Sequence, residues 1–293
     1  MKDIAVMSGK GGTGKTSIAA ALGVVAGANA VTADCDVDAA NLHLLYDPEH
    51  QEHHDFWSGK TAVIDYDACT GCGICHEKCR FGAISIEDTR YVVDPLGCEG
   101  CAVCHHLCAA GAIEMQDVLA GEWFVSRNRF GHWFVHARLG IGQENSGKLV
   151  SKVKAEARSL AEREQIPYLI VDGPPGIGCP VISSFSGVDH VLVVTEATQS
   201  GLHDLRRLVD LIDFFKARAS CVINKADLND GARDDIERFC EARGVEVIST
   251  IPYSETFLDA LQDGRTIMET DDVLIKKKIN DIWNHLERTE MMS

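Results

Sequence analysis

The sequence predicts an α/β chain: a mostly parallel sheet covered by helices on both faces, interrupted by a small α+β insert rich in cysteine. Three observations predict it. Short apolar runs alternate with helix-length segments near the start of the chain and again through its second half. A glycine-rich loop follows the first of those runs directly. Eight of the 12 cysteines fall between Cys69 and Cys108, where the strand–helix rhythm stops.

Taken in order, residues 4–8 (IAVMS) form a short apolar run closed by glycines, as expected of a buried parallel strand. Residues 9–16 are a loop, and the small apolar residues 17–28 suit a helix packed on a sheet. Residues 30–36 (AVTADCD) read as a second strand ending in acids. Residues 47–59 are polar, hold Pro48 and three histidines, and read as a solvated linker. Residues 60–118 alternate short strands with cysteine-rich turns. Residues 122–139 carry two aromatic strand-like runs around 128–131, a hairpin signal, and 140–147 form a return loop. The α/β rhythm resumes with a helix from 149 to about 165. Strands follow at 168–172, 190–195, 220–225 and 246–252, with a helix at 201–215. Residues 273–286 place Val273, Ile275, Ile279, Ile282 and Leu286 at helical spacing, a pattern expected to pack on the core. The expected domains are 1–59 with 119–293, of which 119–148 is the hairpin and return loop, and 60–118 as the insert.

Composition narrows the function. With 293 residues and a formal net charge of −16, the surface argues against nucleic acid as a partner. No apolar run reaches the ~18–20 residues of a membrane span, and the N-terminus has no secretory pattern, so a cytoplasmic location is expected. Cysteines in such a chain read as metal ligands before disulfides.

Gly9-Lys10-Gly11-Gly12-Thr13-Gly14-Lys15-Thr16 matches G-x-x-x-x-G-K-[ST] between a strand and a helix, the context the motif requires. Backbone N–H groups from Gly9 to Ser17 are expected to surround phosphate oxygens at a helix N-terminus. Lys15 should reach the β/γ-phosphates, and the Thr16 hydroxyl should ligate Mg²⁺. Asp34, Asp36 and Asp38 crowd the end of the second strand, where a carboxylate can orient an attacking water. Asp172, at the end of an apolar strand and followed by Gly-Pro-Pro-Gly176, suits a second acidic position near the metal.

The extra lysine Lys10 makes the loop resemble that of the deviant Walker-A ATPases, the MinD/ParA/Mrp group that includes the nitrogenase iron protein. The resemblance covers residues 1–46 and 149–290. It implies a P-loop NTPase core, a homodimer formed on ATP binding, and Lys10 acting across the dimer on the partner's nucleotide. The family's first switch has D-x-D followed five residues later by Asn, here Asp34, Asp36 and Asn41. Asp36 is then the catalytic candidate, with Asp34 and Asp38 as alternatives. Asp172 takes the Walker-B role, and Gly176 is the switch hinge that senses the γ-phosphate. Asn224 and Pro252 fall where the family holds adenine. Asn224-Lys225-Ala226-Asp227 also matches the N-K-x-D guanine signature, and the resemblance favours ATP.

Cys69, Cys72, Cys75 and Cys79 have the spacing C-x₂-C-x₂-C-x₃-C, and Cys98, Cys101, Cys104 and Cys108 repeat it. This is the run of bacterial two-cluster ferredoxins, in which each fourth cysteine ligates the other cluster. The resemblance implies one [4Fe–4S] cluster on Cys69, Cys72, Cys75 and Cys108 and a second on Cys98, Cys101, Cys104 and Cys79. Zinc would leave a third cysteine at x₂ spacing unused. Arg80 and Ala109 replace the usual proline after each fourth cysteine.

Cys179 stands at the offset from Asp172 where the nitrogenase iron protein has a cluster ligand, but no second cysteine accompanies it, and a thiol lining the switch is the simpler reading. Cys221 and Cys240 are too far apart for the C-x-x-C of Mrp-type carriers. Together these features predict a slow, partner-stimulated ATPase switch. Its nucleotide state would be coupled to electron transfer or metallocofactor assembly through a redox or assembly partner. The alternatives are a MinD-like positioning ATPase whose clusters sense redox state, and an iron–sulfur carrier.

Overall fold

The computed structural model describes residues 1–140, 142 and 145–288. Parts of the return loop and the C-terminal end of the expected core domain therefore lie outside the described residues. The elements in chain order are β1 (Lys2–Met7), α1 (Lys15–Ala26), β2 (Ala30–Asp34), α2 (Leu42–Tyr46), β3 (Glu49–Ile64), α3 (Ile74–Lys78), β4 (Ile84–Glu87), β5 (Arg90–Val93), α4 (Val103–Leu107), β6 (Ile113–Arg127) and β7 (Trp133–Leu139). After these come α5 (Ser146–Arg163), β8 (Tyr168–Asp172), α6 (Cys179–Phe185), β9 (His190–Glu196), α7 (Gln199–Phe215), β10 (Arg218–Asn224), α8 (Asp230–Ala242), β11 (Glu246–Thr250), α9 (Glu255–Gln262) and α10 (Val273–Arg288).

The chain divides into two compact units. The first holds Met1–His53, Trp123–Arg138 and the described part of Ser146–Ser293; the second holds His54–Glu122 and the described part of Leu139–Asn145. The main sheet has the order β11-β10-β9-β1-β8-β2-β7-β6-β3. From β11 to β7 every adjacent pair is parallel. The α/β core expected from the alternating pattern is thus present. Parallel strands must be buried on both faces, which is why β1, β2, β8 and β9 read as unbroken apolar runs.

In the first unit, α1 lies between sheet and helix, with Ile18 through Leu22 fully buried. On one side it meets α10, whose Ile275, Ile279, Ile282, Trp283 and Leu286 join the same core. Fully burying each of these large side chains is worth about 1.5–3 kcal/mol, which is ample to hold a helix whose N-terminal half is charged. The C-terminal segment packs on the core as its spacing predicted. Among the described residues no helix is long and apolar enough to cross a membrane.

The expected linker at 47–59 is instead the start of a 16-residue strand, β3. Its sequence hides this. Most of its residues are exposed, so no alternation of polar and apolar residues marks it. It lies at the edge of the sheet, where charged and polar residues protect against stray pairing. Its histidines do not form a solvated loop: His50 and His53 stack on Phe124 of β6, with ring centroids 4.5 and 4.8 Å away.

The second unit is built on a repeat. Each of α3 and α4 starts after a residue in the left-handed conformation, Gly73 or Ala102. In each, the residue after the third cysteine is a histidine whose Nδ1 lies 2.5 Å from a strand carbonyl eight positions on: His76 against Ile84, and His105 against Ile113. In each, the fourth cysteine donates its N–H to that histidine's carbonyl at 3.3 Å. β4 and β5 form an antiparallel hairpin, pairing Ile84 with Val93 and Glu87 with Arg90. Ala62, Ile64 and Ile113 make a small apolar core against which the cysteines pack.

Candidate functional site

The loop between β1 and α1 is shaped by glycine. Gly12 and Gly14 have φ of +80° and +89°, values that only glycine adopts at no cost. A Cβ at Gly14 would also lie 2.4 Å from the Asn224 amide nitrogen. Lys15 opens α1 and is nearly buried, 6% exposed. Its Nζ lies 2.7 Å from Asp172 Oδ1, 3.8 Å from Asp36 Oδ2 and 3.4 Å from Thr16 Oγ1. Burial works against the lysine's charge, but Asp172 outweighs it and raises its pKa.

Strand ends supply the acids. β2 and β8 are paired so that Asp34 stands beside Asp172. Asp34 is fully buried, and its two oxygens accept the N–H groups of Asp36 and Leu42 at 3.1 Å each. It therefore pins the loop that carries Asp36 and sets the start of α2. Burial, followed by the neighbouring Asp172 charge, pushes its carboxyl up to about 8. Asp36 is half-buried, and burial pushes it up to about 6 against the pull of Lys15. Asp38 is exposed. Of the three candidate carboxylates, Asp36 is the one within ion-pair distance of Lys15, and it also takes a hydrogen bond from the Ala39 backbone. The second oxygen of Asp172, Oδ2, is buried without a hydrogen-bond partner. A buried carboxylate oxygen left without a hydrogen-bond partner suits a divalent cation.

Gly176 has φ of +91° and donates its N–H to Ser8 O at 2.9 Å, tying the segment after β8 to the end of β1. Cys179 is the exposed first residue of α6.

The contacts of three side chains were not foreseen from the sequence. Lys10 Nζ binds Glu196 Oε1 at 2.6 Å and Ser200 Oγ at 2.7 Å within the same chain. Lys225 Nζ binds Glu196 Oε2 at 3.2 Å and Gly12 O at 2.9 Å. Asn224 Nδ2 donates to Thr13 O at 2.8 Å. Glu196 thus holds both lysines. Burial opposes its charge, but hydrogen bonds from Lys10 and Lys225 prevail and hold its carboxyl below the usual range. A strand-end carboxylate was the only signal available for it. Pro252 follows Ile251, whose carbonyl accepts the Ala226 N–H at 2.9 Å, so the two segments after β10 and β11 are joined.

The second unit gathers the eight remaining candidate ligands around two cavities. The first is lined by Cys69, Cys72, Cys75 and Cys108, with Cys104 also on its wall. The second is lined by Cys79, Cys98, Cys101 and Cys104. Each fourth cysteine faces the cavity of the other run. Among the described residues, no three cysteine sulfurs lie within 4.8 Å of one another. A tetrahedral zinc with ~2.3 Å Zn–S bonds needs sulfurs about 3.8 Å apart. The thiols, the backbone glycines between them and the Ala112 N–H given to Cys108 Sγ at 3.3 Å fit a larger, polynuclear group.

Residues 4–267 match the model of the CobQ/CobB/MinD/ParA nucleotide binding domain. An uncharacterized protein of Methanocaldococcus jannaschii is 36% identical over 228 residues, covering 77% of this chain and 79% of that protein. The cell division ATPase MinD of Pyrococcus furiosus is similar in fold, with a TM-score of 0.57 at 16% identity over 98% of this chain and 99% of that one. The septum site-determining protein MinD from Pyrococcus horikoshii OT3, solved with Mg-ADP, gives a TM-score of 0.58 at 14% identity over 98% and 96%.

Proposed function

The chain belongs to the CobQ/CobB/MinD/ParA nucleotide-binding family, and from that premise we propose that it is a nucleotide-hydrolysing switch that carries two [4Fe–4S] clusters. The observation that carries the first half is the convergence of Lys15, Asp36 and Asp172 beneath the glycine loop. The observation that carries the second is the pair of cysteine-lined cavities, each reached by the fourth cysteine of the other run.

The loop from Gly9 to Ser17 receives the phosphates of a nucleoside triphosphate, ATP by the family resemblance. Lys15 turns from the carboxylates toward the β/γ-phosphates. Thr16 and Asp172 would hold Mg²⁺, which neutralises charge developing on the phosphoryl oxygens. Asp36 orients the attacking water. With its pKa raised to about 6 it is a base near neutrality, able to accept the water's proton. The water oxygen bonds to the γ-phosphorus, the bond to the bridging oxygen breaks, and the diphosphate leaves with that electron pair. The Gly176 N–H, which now meets Ser8 O, exchanges that carbonyl for a γ-phosphate oxygen. Lys10 leaves Glu196 and reaches the nucleotide of a second copy, so triphosphate binding closes a homodimer.

In the second unit, Cys69, Cys72, Cys75 and Cys108 would hold one cluster and Cys98, Cys101, Cys104 and Cys79 the other. Such clusters supply one-electron transfer. The chain's own part is to surround the sulfurs with apolar residues and N–H donors, which set the potential. Nucleotide state and electron transfer to a redox or cofactor-assembly partner are then coupled.

The test is anaerobic purification followed by reductive titration with and without a non-hydrolysable triphosphate. About eight irons per chain and a reduction midpoint that moves with nucleotide are expected. Two zincs per chain would overturn the cluster reading. A midpoint indifferent to nucleotide would remove the coupling. A protein that hydrolyses neither ATP nor GTP at a rate that Lys15→Ala lowers by about 100-fold would remove the hydrolase.

A further inference from the structure

We infer that the outer edge of β11 is a docking strand, and that its partner is an extended, basic segment of another protein. The inference stands apart from the nucleotide and cluster readings above.

β11 ends the main sheet and, among the described residues, pairs with β10 alone. A strand paired on one side turns every second N–H and C=O outward. Here the phase can be read. Ile251, just past the strand, donates its N–H to Ile223 O at 2.9 Å and accepts the Ala226 N–H at 2.9 Å, so its polar groups face β10. Those of Thr250 therefore face away from it. The ladder is not regular throughout: Val247 and Ser249 oppose consecutive residues of β10, so Ile248 is an extra residue. A bulge of this kind interrupts a long ladder, which limits an added strand to a few paired residues.

The edge is not open surface. It floors a groove whose lining runs from Val245 to Thr250 and includes Glu237 and Glu241 of α8 and Lys278 and Asp281 of α10. The two helices cover opposite faces of the sheet. The step from β10 to β11 runs along the sheet in the opposite direction to the step from β1 to β2. Right-handed crossovers then put α8 on the face opposite α1, and α10 packs with α1 in one core. A chain lying along β11 would point its side chains alternately toward α8 and toward α10.

Charge names the occupant. The α8 wall presents Glu237 and Glu241, four residues apart and so on one side of the helix, and Glu246 opens the strand. The α10 wall carries Asp281 and Lys278, which balance each other. Arg233 reaches Glu237 at 4.0 Å and His285 reaches Glu246 at 3.6 Å, but neither lines the groove. The occupant is then a strand with Lys or Arg at every second position, facing α8, and uncharged residues between them, facing α10. A second copy of β11 does not fit, because it would bring Glu246 and the same acidic wall against this one, and like charges across paired strands are destabilising.

The probe is a short fluorescein-labelled peptide of alternating lysine and valine, capped at both ends. It is titrated with the nucleotide-free full chain and read by fluorescence anisotropy at fixed ionic strength. Saturable binding is expected. The same peptide N-methylated at every residue keeps the charge and loses its N–H donors, and should bind at least about tenfold more weakly. A peptide of alternating glutamate and valine should not bind. Glu237→Gln with Glu241→Gln should weaken the lysine peptide about three- to tenfold. Glu162→Gln with Glu164→Gln makes the same change of charge on α5 and should leave binding unchanged. All four positions are exposed, so both variants should fold, and their melting temperatures check that. Absence of binding overturns the docking strand, as does binding that the α8 variant leaves unchanged. Equal binding of the N-methylated peptide, or equal loss from the α5 variant, means attraction to overall charge alone and overturns it too. A nucleotide-free dimer in sedimentation velocity that the α8 variant strengthens would assign the edge to a second copy instead.

Discussion

Single side chains carry most of the charge economy of the first unit. Glu196 neutralises Lys10 and Lys225 together, at 2.6 and 3.2 Å. Glu196→Gln keeps the shape and removes the charge. The variant should form its nucleotide-dependent dimer at a triphosphate concentration about 3–10-fold lower, read by sedimentation velocity with a non-hydrolysable analogue; the range follows from a partly buried ion pair worth about 1 kcal/mol. A higher concentration requirement would mean that Glu196 serves the closed state instead. His136 gives a pH signature. It is buried in a stack with Phe124 and Phe134, at 5.0 and 4.6 Å, and burial lowers its pKa to about 3. His190 is lowered by burial to about 4. Both stay neutral when folded and bind a proton near pH 6.5 when unfolded, so the unfolded state holds more protons below 6.5. Their stabilising contribution is complete above pH 6.5 and is lost as the pH falls toward 4. Each ring can remove up to about 1.4 kcal/mol per pH unit over that window. Urea melts from pH 7 to pH 4.5 should show the loss, and His136→Phe should flatten the slope. At this scale the sequence was legible where a residue sits in a motif, as with Lys15, Asp172 and the cysteines. Glu196 was not legible, because its partners are 186 residues before it and 29 after.

Elements were legible in proportion to their burial. β1, β2, β8, β9 and β10 announce themselves because their central positions are covered on both faces and are mostly apolar. β3 does not, because an edge strand exposed over most of its length is under no such demand. Its pairing is a property of the sheet and not of its own residues. The turns of the cysteine runs sit between these extremes: the spacing is explicit, the backbone behind it is not. Gly100 shows why. Its φ is +63°, and a Cβ there would lie 2.2 Å from the Lys60 carbonyl oxygen, where backbone cannot yield. Gly100→Ala should cost about 1–3 kcal/mol and distort the turn between Cys98 and Cys101. Iron in the purified variant should fall toward half, with the deficit in the cluster of the second cavity, measured by iron assay and low-temperature paramagnetic resonance. Full iron content would show that the turn can relax.

For the whole molecule, the pattern that was most readable is the order of parts: glycine loop, acidic strand end, cysteine block, second acidic strand end, and the Asn224 segment after β10. Which cysteine faces which cavity was also expected, because the two-cluster spacing sends each fourth cysteine to the other run. Paired substitutions test the crossing. Cys69→Ser with Cys108→Ser removes two ligands from one cavity and should leave about four irons per chain. Cys69→Ser with Cys79→Ser injures both cavities and should leave far fewer. The reverse result would mean that each run of four serves a single cluster.

The crossing also fixes a sequence in time. As the chain leaves the ribosome, Cys69, Cys72 and Cys75 emerge first, yet the cavity they line waits for Cys108. The other cavity is complete at Cys104. The thiols made earliest are the last to be enclosed, and through that interval they are open to any passing metal or oxidant. Until synthesis has passed Cys108, the wall around Cys69, Cys72 and Cys75 is incomplete.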